Sequence, residues 1–305
     1  MAMEGKVPRI SIGMPVYNGE RFLAQVLDSL LAQTYKDFEL VICDNCSTDG
    51  TERICRSYAA KDSRISYHRN ITNIGAARNS NLAFSLSRGE YFKWAADDDI
   101  CGPEFVERCV DVLDRRDEAV LCYPKTCLIG ESGAAISDYD DRLDLQWEAP
   151  NKRLAYLLWN IRMCNAVYGL IRSSALRSVK PFGSFSNSDI SFLAELALHG
   201  LFVEIPEKLL FRRIFELSAV KYASPHDRML IFEPDKATQL SLPNWRLFIG
   251  FLSAIRRAPI GATERLYCYG RMRIWLERWG SGLFQDLKIA ARYCLRRGHI
   301  SFSKT

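Results

Sequence analysis

Three aspartates in a row, Asp97-Asp98-Asp99, follow directly on the apolar segment YFKWAA. Carboxylates this crowded repel one another unless a cation or a solvated turn relieves them. Hard divalent cations accept such groups, and Mg2+ typically takes one or two together with phosphate oxygens. The plain alternative is an acidic turn that caps a helix beginning near Pro103. Asp44 ends another apolar run, FELVIC, where an acceptor can meet a base or a ribose, as acidic groups do in other nucleotide folds. Aspartate is also simply common in turns. Arg78, within NIGAARN, carries forked donors suited to a phosphate, although most helical arginines are merely solvated. Neither G-x-G-x-x-G nor G-x-x-x-x-G-K-[ST] occurs, so a dinucleotide fold and a P-loop are both unsupported.

The elements that must position these residues alternate between strand and helix. Arg9 to Met14 is a β-branched run that Pro15 ends. Phe22, Leu23, Val26, Leu27, Leu30 and Leu31 form one stripe of a helix. Phe38 to Cys43 reads as a second buried strand. Ser47-Thr48-Asp49 then offers capping side chains, with Glu52 in capping-box position. Ile65 to His68 is a third strand, Ala76 to Leu86 a helix, and Tyr91 to Ala95 a fourth strand. A helix over Phe105 to Leu113 and a strand over Ala119 to Tyr123 follow. This alternation predicts an α/β fold with a mainly parallel sheet flanked by helices on both faces, Rossmann-like in plan. Ligands bind such sheets beyond the carboxyl ends of the strands. Pro15–Asn18, Asp44–Asp49 and Asp97–Asp99 all sit at that kind of position, and their convergence there is the expected site.

Composition sets wider bounds. The chain has 305 residues, about half of them hydrophobic and a quarter charged, as in ordinary globular domains. The start, MAMEGKVPRI, does not read as a signal peptide, and Leu247 to Ile255 is too short to span a bilayer as a helix. Ten scattered cysteines form no disulfide framework, and Cys43 and Cys46 lack partners at zinc-finger spacing, so reduced thiols in a cytoplasmic setting are expected. The net charge of +5 hides an asymmetry: residues from Trp245 onward hold 12 Lys/Arg and 3 Asp/Glu. That helical, aromatic and basic tail is expected to meet a different partner from the acidic remainder. An anionic membrane surface is one candidate, through Leu266, Tyr267, Met272, Trp275, Leu276 and Trp279 with Arg265, Arg271, Arg273 and Arg278. Packing on the catalytic part or on a second subunit is the other. Nucleic acid is not an expected partner.

PVYNGERFLAQVLDSLLAQTYKDFELVICDNCSTDGT, then NIGAARNSNLA, then GEYFKWAADDDI, resembles the N-terminal half of the family 2 glycosyltransferases, which have the GT-A fold. The likeness is nearly continuous over residues 9–114. It implies that Pro15, Val16 and Tyr17 line a nucleotide pocket, that Asp44 binds uracil or ribose, and that Arg78 lies near the nucleotide. Asp97 and Asp99 match the ends of a D-x-D metal motif for Mn2+ or Mg2+, with Asp99 the leading direct ligand. Asp98, in the middle, is implied at the ribose or donor sugar. NAVYGLIRSSAL followed by FGSFSNSDISFLAELALHG is similar to the acceptor half, where Asp189 occupies the position of the general base. As a plain feature Asp189 also suits an N-cap for Ile190–Leu198.

Three departures from the family pattern stand out. Ala96 replaces a frequent acidic residue, and Ser188 replaces the Glu that commonly precedes the base. FRRIFELSA resembles an R-x-H segment in which Arg213 matches, as a phosphate contact, but Phe215 stands in place of His. No Q-x-x-R-W is present, so one sugar per encounter is expected. The resemblance implies an inverting, metal-dependent transferase moving a sugar, from a UDP-sugar in the first instance, to a hydroxyl of a glycan or lipid-linked glycan. Its place would be the cytoplasm or the inner face of the cell membrane. A catalytically inactive nucleotide-sugar-binding or scaffold protein of the same fold is the alternative. The expected division is a catalytic domain over 1–240, with a donor half near 9–123 and an acceptor half near 124–240, and a helical extension over 241–305.

Overall fold

The computed structural model describes residues 7–214, 240 and 242–301, with side chains through Leu295. Its elements run β1 (Ile10–Val16), α1 (Leu23–Leu31), β2 (Phe38–Asp44), α2 (Thr51–Ala59), β3 (Ile65–Arg69), α3 (Ala76–Ser85), β4 (Tyr91–Trp94), β5 (Ile100–Cys101) and α4 (Phe105–Arg115). Then come β6 (Ala119–Ile129), β7 (Ala135–Tyr139), α5 (Pro150–Asn160), a 3-10 turn (Asn165–Tyr168), β8 (Leu170–Arg172), α6 (Ser173–Ser178), α7 (Ser188–His199) and β9 (Leu201–Arg213). Two helices follow, α8 (Pro243–Arg257) and α9 (Ala262–Ser301).

Apolar side chains on both faces of a strand bury it between helix layers, and β1, β2 and β4 are of this kind. β1 lies parallel to β2 on one side and to β4 on the other, and β3 extends the parallel set beyond β2. The full order is β3-β2-β1-β4-β8-β6-β9-β5, with β7 on β6. The first half is therefore the parallel sheet read from the sequence. The second half is mixed: β8 runs antiparallel to β4 and β6, while β6 and β9 are parallel. Successive strand residues face opposite ways. Thus Tyr91 packs with α1 and α4, whereas Phe92 and Trp94 pack on the face covered by α5 and α7.

Local chemistry sharpens two boundaries. The capping-box expectation at Asp49 is off by one turn position, because α2 begins at Thr51 and no side chain caps it from Gly50. Asp49 instead accepts the Thr51 N–H at 3.0 Å and the Glu20 N–H at 3.1 Å, tying the loop after β1 to the loop after β2. Likewise α7 starts at Ser188 behind Asn187, which sits at φ 66°, so Asp189 lies inside the first turn and not at the N-cap. A carboxylate there still suits the helix dipole.

The basic tail is part of the core. Leu247, Phe251 and Ile255 of α8 and Cys268, Met272, Trp275 and Leu283 of α9 join the cluster built on α5 and α7. Of the apolar set offered to a membrane, Met272 and Trp275 are thus buried and Trp279 packs beside them, while Leu266, Tyr267 and Leu276 face outward. The arginines are also engaged. Arg271 donates to Asn151 Oδ1, Arg278 to the Leu158 and Trp159 carbonyls, and Arg265 to the Ile255 and Ala258 carbonyls. Arg273 pairs with Glu277 one turn on. Truncating the largest of these anchors, Trp275→Ala, should cost about 3–5 kcal/mol, because the site between α5, α8 and α9 is closed and cannot collapse freely. Urea unfolding with an unchanged m-value checks it; a midpoint within error of wild type would mean that α9 only rests on the domain.

Candidate active site

The three polar clusters meet at the carboxyl edge of the parallel strands. Val16 stands opposite Asp44 in register, and the Asn45 N–H donates to the Val16 carbonyl at 2.8 Å. Beyond the strands the two loops are laced together. Asn18 N–H donates to Ser47 Oγ, Thr48 N–H to Asn18 Oδ1, and Gly19 N–H to Thr51 Oγ1. The acidic loop comes in from β4: a Cβ at Gly19 would stand 2.6 Å from an Asp97 carboxylate oxygen. Glycine at 19 is what lets the first loop and the acidic triplet touch.

Asp44 is wholly buried. Its Oδ1 accepts the Ser47 N–H at 2.8 Å, its Oδ2 accepts the Tyr67 hydroxyl at 2.6 Å, and Arg69 Nε stands 3.5 Å away. The carboxylate that the sequence offers as a nucleoside contact is therefore also the anchor of the turn that walls the cleft. Around it, Asn45 binds Asn73 and the Ile74 N–H, Asn70 donates to Asn45 and Asn79, and Asn79 donates to the Cys43 carbonyl. This amide network holds residues 70–75 and the start of α3, where Gly75 takes a φ of 85°. Arg78 follows in the first turn, exposed; Tyr17 is exposed as well, Pro15 partly so, and the Val16 side chain is core. Burial pushes the Cys43 thiol up to about 12, and Cys43 and Cys46 are both free thiols.

Asp97 and Asp98 are partly exposed and Asp99 is buried. Asp99 Oδ1 accepts the Arg213 N–H at 2.8 Å. Burial first, and then the charge of Asp98, push the Asp99 carboxyl up to about 7. Arg213 is buried too, and its guanidinium is spent on structure. It donates to the carbonyls of Asp98, Gly130 and Glu131 and to Gln25, and it lies over the Phe22 ring. Arg213, expected at a phosphate, has its donors held inward by these acceptors. Phe215 lies outside the described residues.

Arg212, which alternation along β9 sends the other way from Arg213, brings positive charge to several acidic groups. It donates to the Met163 carbonyl at 2.9 Å and to Asn165 Oδ1, and its charge acts on Asp98, Asp99, Asp141 and Asp189. Asp141, buried, accepts the Asn165 N–H at 3.2 Å and is pushed up to about 7 mainly by burial. Asp189 accepts the Ile190 N–H at 3.0 Å; burial raises its carboxyl and Arg212 opposes the rise. Sequence reading missed Arg212, Asp141 and Tyr67. Arg212 had a visible signal, as half of an arginine pair on a strand, but nothing marked Asp141 among the irregular residues after β7.

A divalent cation suits this donor set. Asp97–Asp99 are all oxygen ligands, and their mutual repulsion is what a cation relieves. Among the described residues no three His, Cys, Asp or Glu side chains converge as a closed metal cage. A hard cation such as Mg2+ typically takes one or two carboxylates and completes its shell with phosphate oxygens and water.

A parallel set of strands with an acidic loop at its carboxyl edge, joined to a mixed half that carries a partly buried carboxylate on a helix, is the GT-A type of α/β fold. The sequence matches the profile described as Glycosyl transferase family 2 over residues 11–179, and the chain belongs to that family. It is 41% identical over 109 residues to the putative glycosyltransferase EpsE of Bacillus subtilis, 35% of this chain and 39% of that one. It is 36% identical over 134 residues to the chondroitin synthase of Escherichia coli, 44% of this chain and 19% of that one. The matches thus span well under half the length of these curated relatives. In fold, it is similar to S. aureus TarS 1-349 in complex with UDP-GlcNAc, with a TM-score of 0.66 at 17% identity, covering 92% of this chain and 79% of that one. It is also similar to the mannosyltransferase PcManGT from Pyrobaculum calidifontis in complex with GDP-Man and Mn2+, with a TM-score of 0.51 at 14% identity, covering 94% and 86%.

The electrostatics can be checked directly. Carboxyl NMR should find Asp189 titrating above the usual aspartate range. Replacing Arg212 by Gln, which deletes the opposing positive charge, should move that titration further up. An Asp189 titration that does not respond to Arg212→Gln would place the guanidinium away from it.

Proposed function

We propose that the chain is an inverting glycosyltransferase that moves a single hexosyl unit from a nucleotide-diphosphate sugar to an acceptor hydroxyl. A UDP-sugar is the donor proposed, and a glycan or lipid-linked glycan of cell-surface polysaccharide or glycoconjugate synthesis the acceptor. One observation carries the reading: the loops after β1, β2 and β4 close into a single edge, with the acidic triplet beside the turn that Asp44 anchors. Family membership supports it, and the nucleotide-bound TarS and PcManGT supply the fold analogy. We take residues 1–240 as the catalytic part and 241–305 as the extension that completes its core.

In this reading the nucleoside lies over Pro15, Val16 and Tyr17 and the Asp44 turn, with Arg78 and Asp98 along the donor. Asp97 and Asp99 would hold Mn2+ or Mg2+, which when bound supplies positive charge to the departing diphosphate. Asp189 takes the proton from the acceptor hydroxyl as its oxygen attacks the anomeric carbon opposite the leaving group, which inverts that centre. Burial serves the base, because a raised pKa strengthens proton acceptance, while the Arg212 charge opposes the rise. No protein nucleophile is required. Arg213 holds the Asp98 carbonyl through its guanidinium and the Asp99 carboxylate through its main-chain N–H, and so fixes the acidic loop relative to β9.

Release of UDP from candidate UDP-sugars, with and without Mn2+, tests the whole reading. Asp99→Asn should abolish turnover with the fold intact, and full activity of that variant in EDTA would remove the metal from the scheme. Asp189→Asn should bind donor yet lose transfer by at least ~10²-fold. A normal kcat in that variant would leave Asp189 a helix-end residue. Wild-type protein that binds UDP-sugars but never turns over would be the inactive scaffold.

We also propose that the chain sits peripherally at the cytoplasmic face of an anionic membrane, through the outward face of α9. No helix among the described residues is long and apolar enough to cross. Leu266, Leu276, Phe284, Leu287 and Leu295 are all exposed, Leu266 and Phe284 at 69%, with Lys288 and Arg292 beside them. Such a face binds in the interface plane, each basic residue contributing about 1 kcal/mol near anionic lipid. Flotation on phosphatidylserine-containing liposomes should be lost in Phe284→Ser/Leu287→Ser and absent on neutral lipid. Equal flotation of wild type and double variant would discard the surface.

A further inference from the structure

Arg212 and Arg213 are neighbours in sequence, yet they are held very differently. Arg213 has four acceptors around its guanidinium. Arg212 is held at one corner: its Nη1 donates to the Met163 carbonyl at 2.9 Å and to Asn165 Oδ1. Among the described residues its Nε and Nη2 carry no hydrogen bond. Both acceptors belong to the turn before β8. The hydrogen bonds that aim the Arg212 charge therefore come from that turn.

The turn is built to present them. Cys164, between the two acceptors, takes the left-handed region at φ 58°, a strained choice for a residue with a side chain. That bend brings the Met163 carbonyl and the Asn165 side chain to the same guanidinium. Below it, Asp141 accepts the Asn165 N–H and the Tyr139 hydroxyl accepts the Met163 N–H, each at 3.2 Å. Asp141 is only 4% exposed, and its segment is tied down by Leu143 N–H on the Tyr123 hydroxyl and by the Leu145–Phe202 bridge. Asn165 is 1% exposed, and its Nδ2 makes no hydrogen bond. An unmade buried donor is costly, but a guanidinium can only donate, so Oδ1 has to face Arg212. The amide forgoes one hydrogen bond to keep that one.

The charge held in this way stands among Asp98, Asp99, Asp141 and Asp189. Facing Asp189 are Arg212 from β9, the Cys164 thiol from the turn and the Ile190 N–H from α7 itself. Asp141 lies beyond Cys164, whose buried thiol is raised by burial first and then by both carboxylates. Among these groups Arg212 brings the positive charge. We propose that Asn165, seated on Asp141, is the positioning residue that holds Arg212 at the base Asp189. An arginine stem has many rotamers, and without this acceptor the charge spreads over several of them. Its pull on Asp189 then weakens, because Coulomb attraction falls with distance. The proposal rests on the transferase reading for the word base; the link from Asn165 through Arg212 to Asp189 does not.

Carboxyl NMR of Asp189 in a double-mutant cycle on the full chain separates this link from a merely structural role. Asn165→Ala leaves the Arg212 charge in the chain, yet it should raise the Asp189 titration, by less than Arg212→Gln does. In the Arg212→Gln background, Asn165→Ala should add nothing further. Circular dichroism checks folding, and Asn165→Leu, which fills the space without an acceptor, serves if the alanine variant unfolds. In turnover, the acidic limb of the kcat profile should move up with the titration while the donor KM stays unchanged. Shifts that add independently in the double variant overturn the proposal, as does an Asp189 titration that neither Asn165 variant moves. NMR shifts that follow the expected pattern in a protein releasing no UDP from any UDP-sugar would sink the transferase reading and leave the positioning link in place.

Discussion

The structure turns on how consecutive carboxylates are held at the end of β4. Asp97, Asp98 and Asp99 cannot share one loop without compensation, and the compensation comes from far along the chain, at the end of β9. Short antiparallel pairing of β5 with β9 brings Ile100 opposite Phe211 and so sets Arg212 and Arg213 beside the triplet. One arginine then works on each face of the strand. Arg213 grips the loop's backbone through hydrogen bonds, while Arg212 lends charge to Asp98, Asp99, Asp141 and Asp189. Buried charges tolerate this only when paired and hydrogen-bonded, and the loss of either arginine would leave several carboxylates in a poorly solvated pocket.

That constraint links the two halves of the sheet. The parallel half supplies loops, laced by Asn18, Ser47, Asp49 and Thr51, that form one wall of the cleft. The mixed half supplies α7 and the strand that anchors the acidic loop. The halves are joined where β8 pairs antiparallel with β4, and β6 and β9 pair along most of their length to make the mixed half one unit. The C-terminal helices close the remaining face: α8 and α9 bury Phe251 and Trp275 against α5 and α7, which stiffens the helix that carries Asp189.

Much of this was legible in the residue pattern. Burial on both faces gives near-continuous apolar runs, and those runs located β2 and β4 within one residue and β1 within two. The loop clusters were legible for the same reason: polar residues directly after a buried strand have few places to go except the carboxyl edge. The tail was left between two partners because periodicity reveals an apolar face without revealing what covers it. Met272 and Trp275 lie on such a face, and only the packing on α5 shows that it turns inward.

The sequence by itself determined the family, the order of the donor-half elements, and which acidic residues reach the sheet edge, since these depend on short-range pattern and on motifs in fixed order. Tertiary structure alone decided what each of those residues touches. Asp44 became the anchor of a turn because Tyr67, 23 residues on, donates to it. Arg213 became a clamp and Arg212 the charge near Asp189 because strand alternation and the β5–β9 register divide the pair. Asp141 entered the same cluster through contacts between segments remote in sequence. No local pattern encodes such contacts; they follow from how whole layers pack.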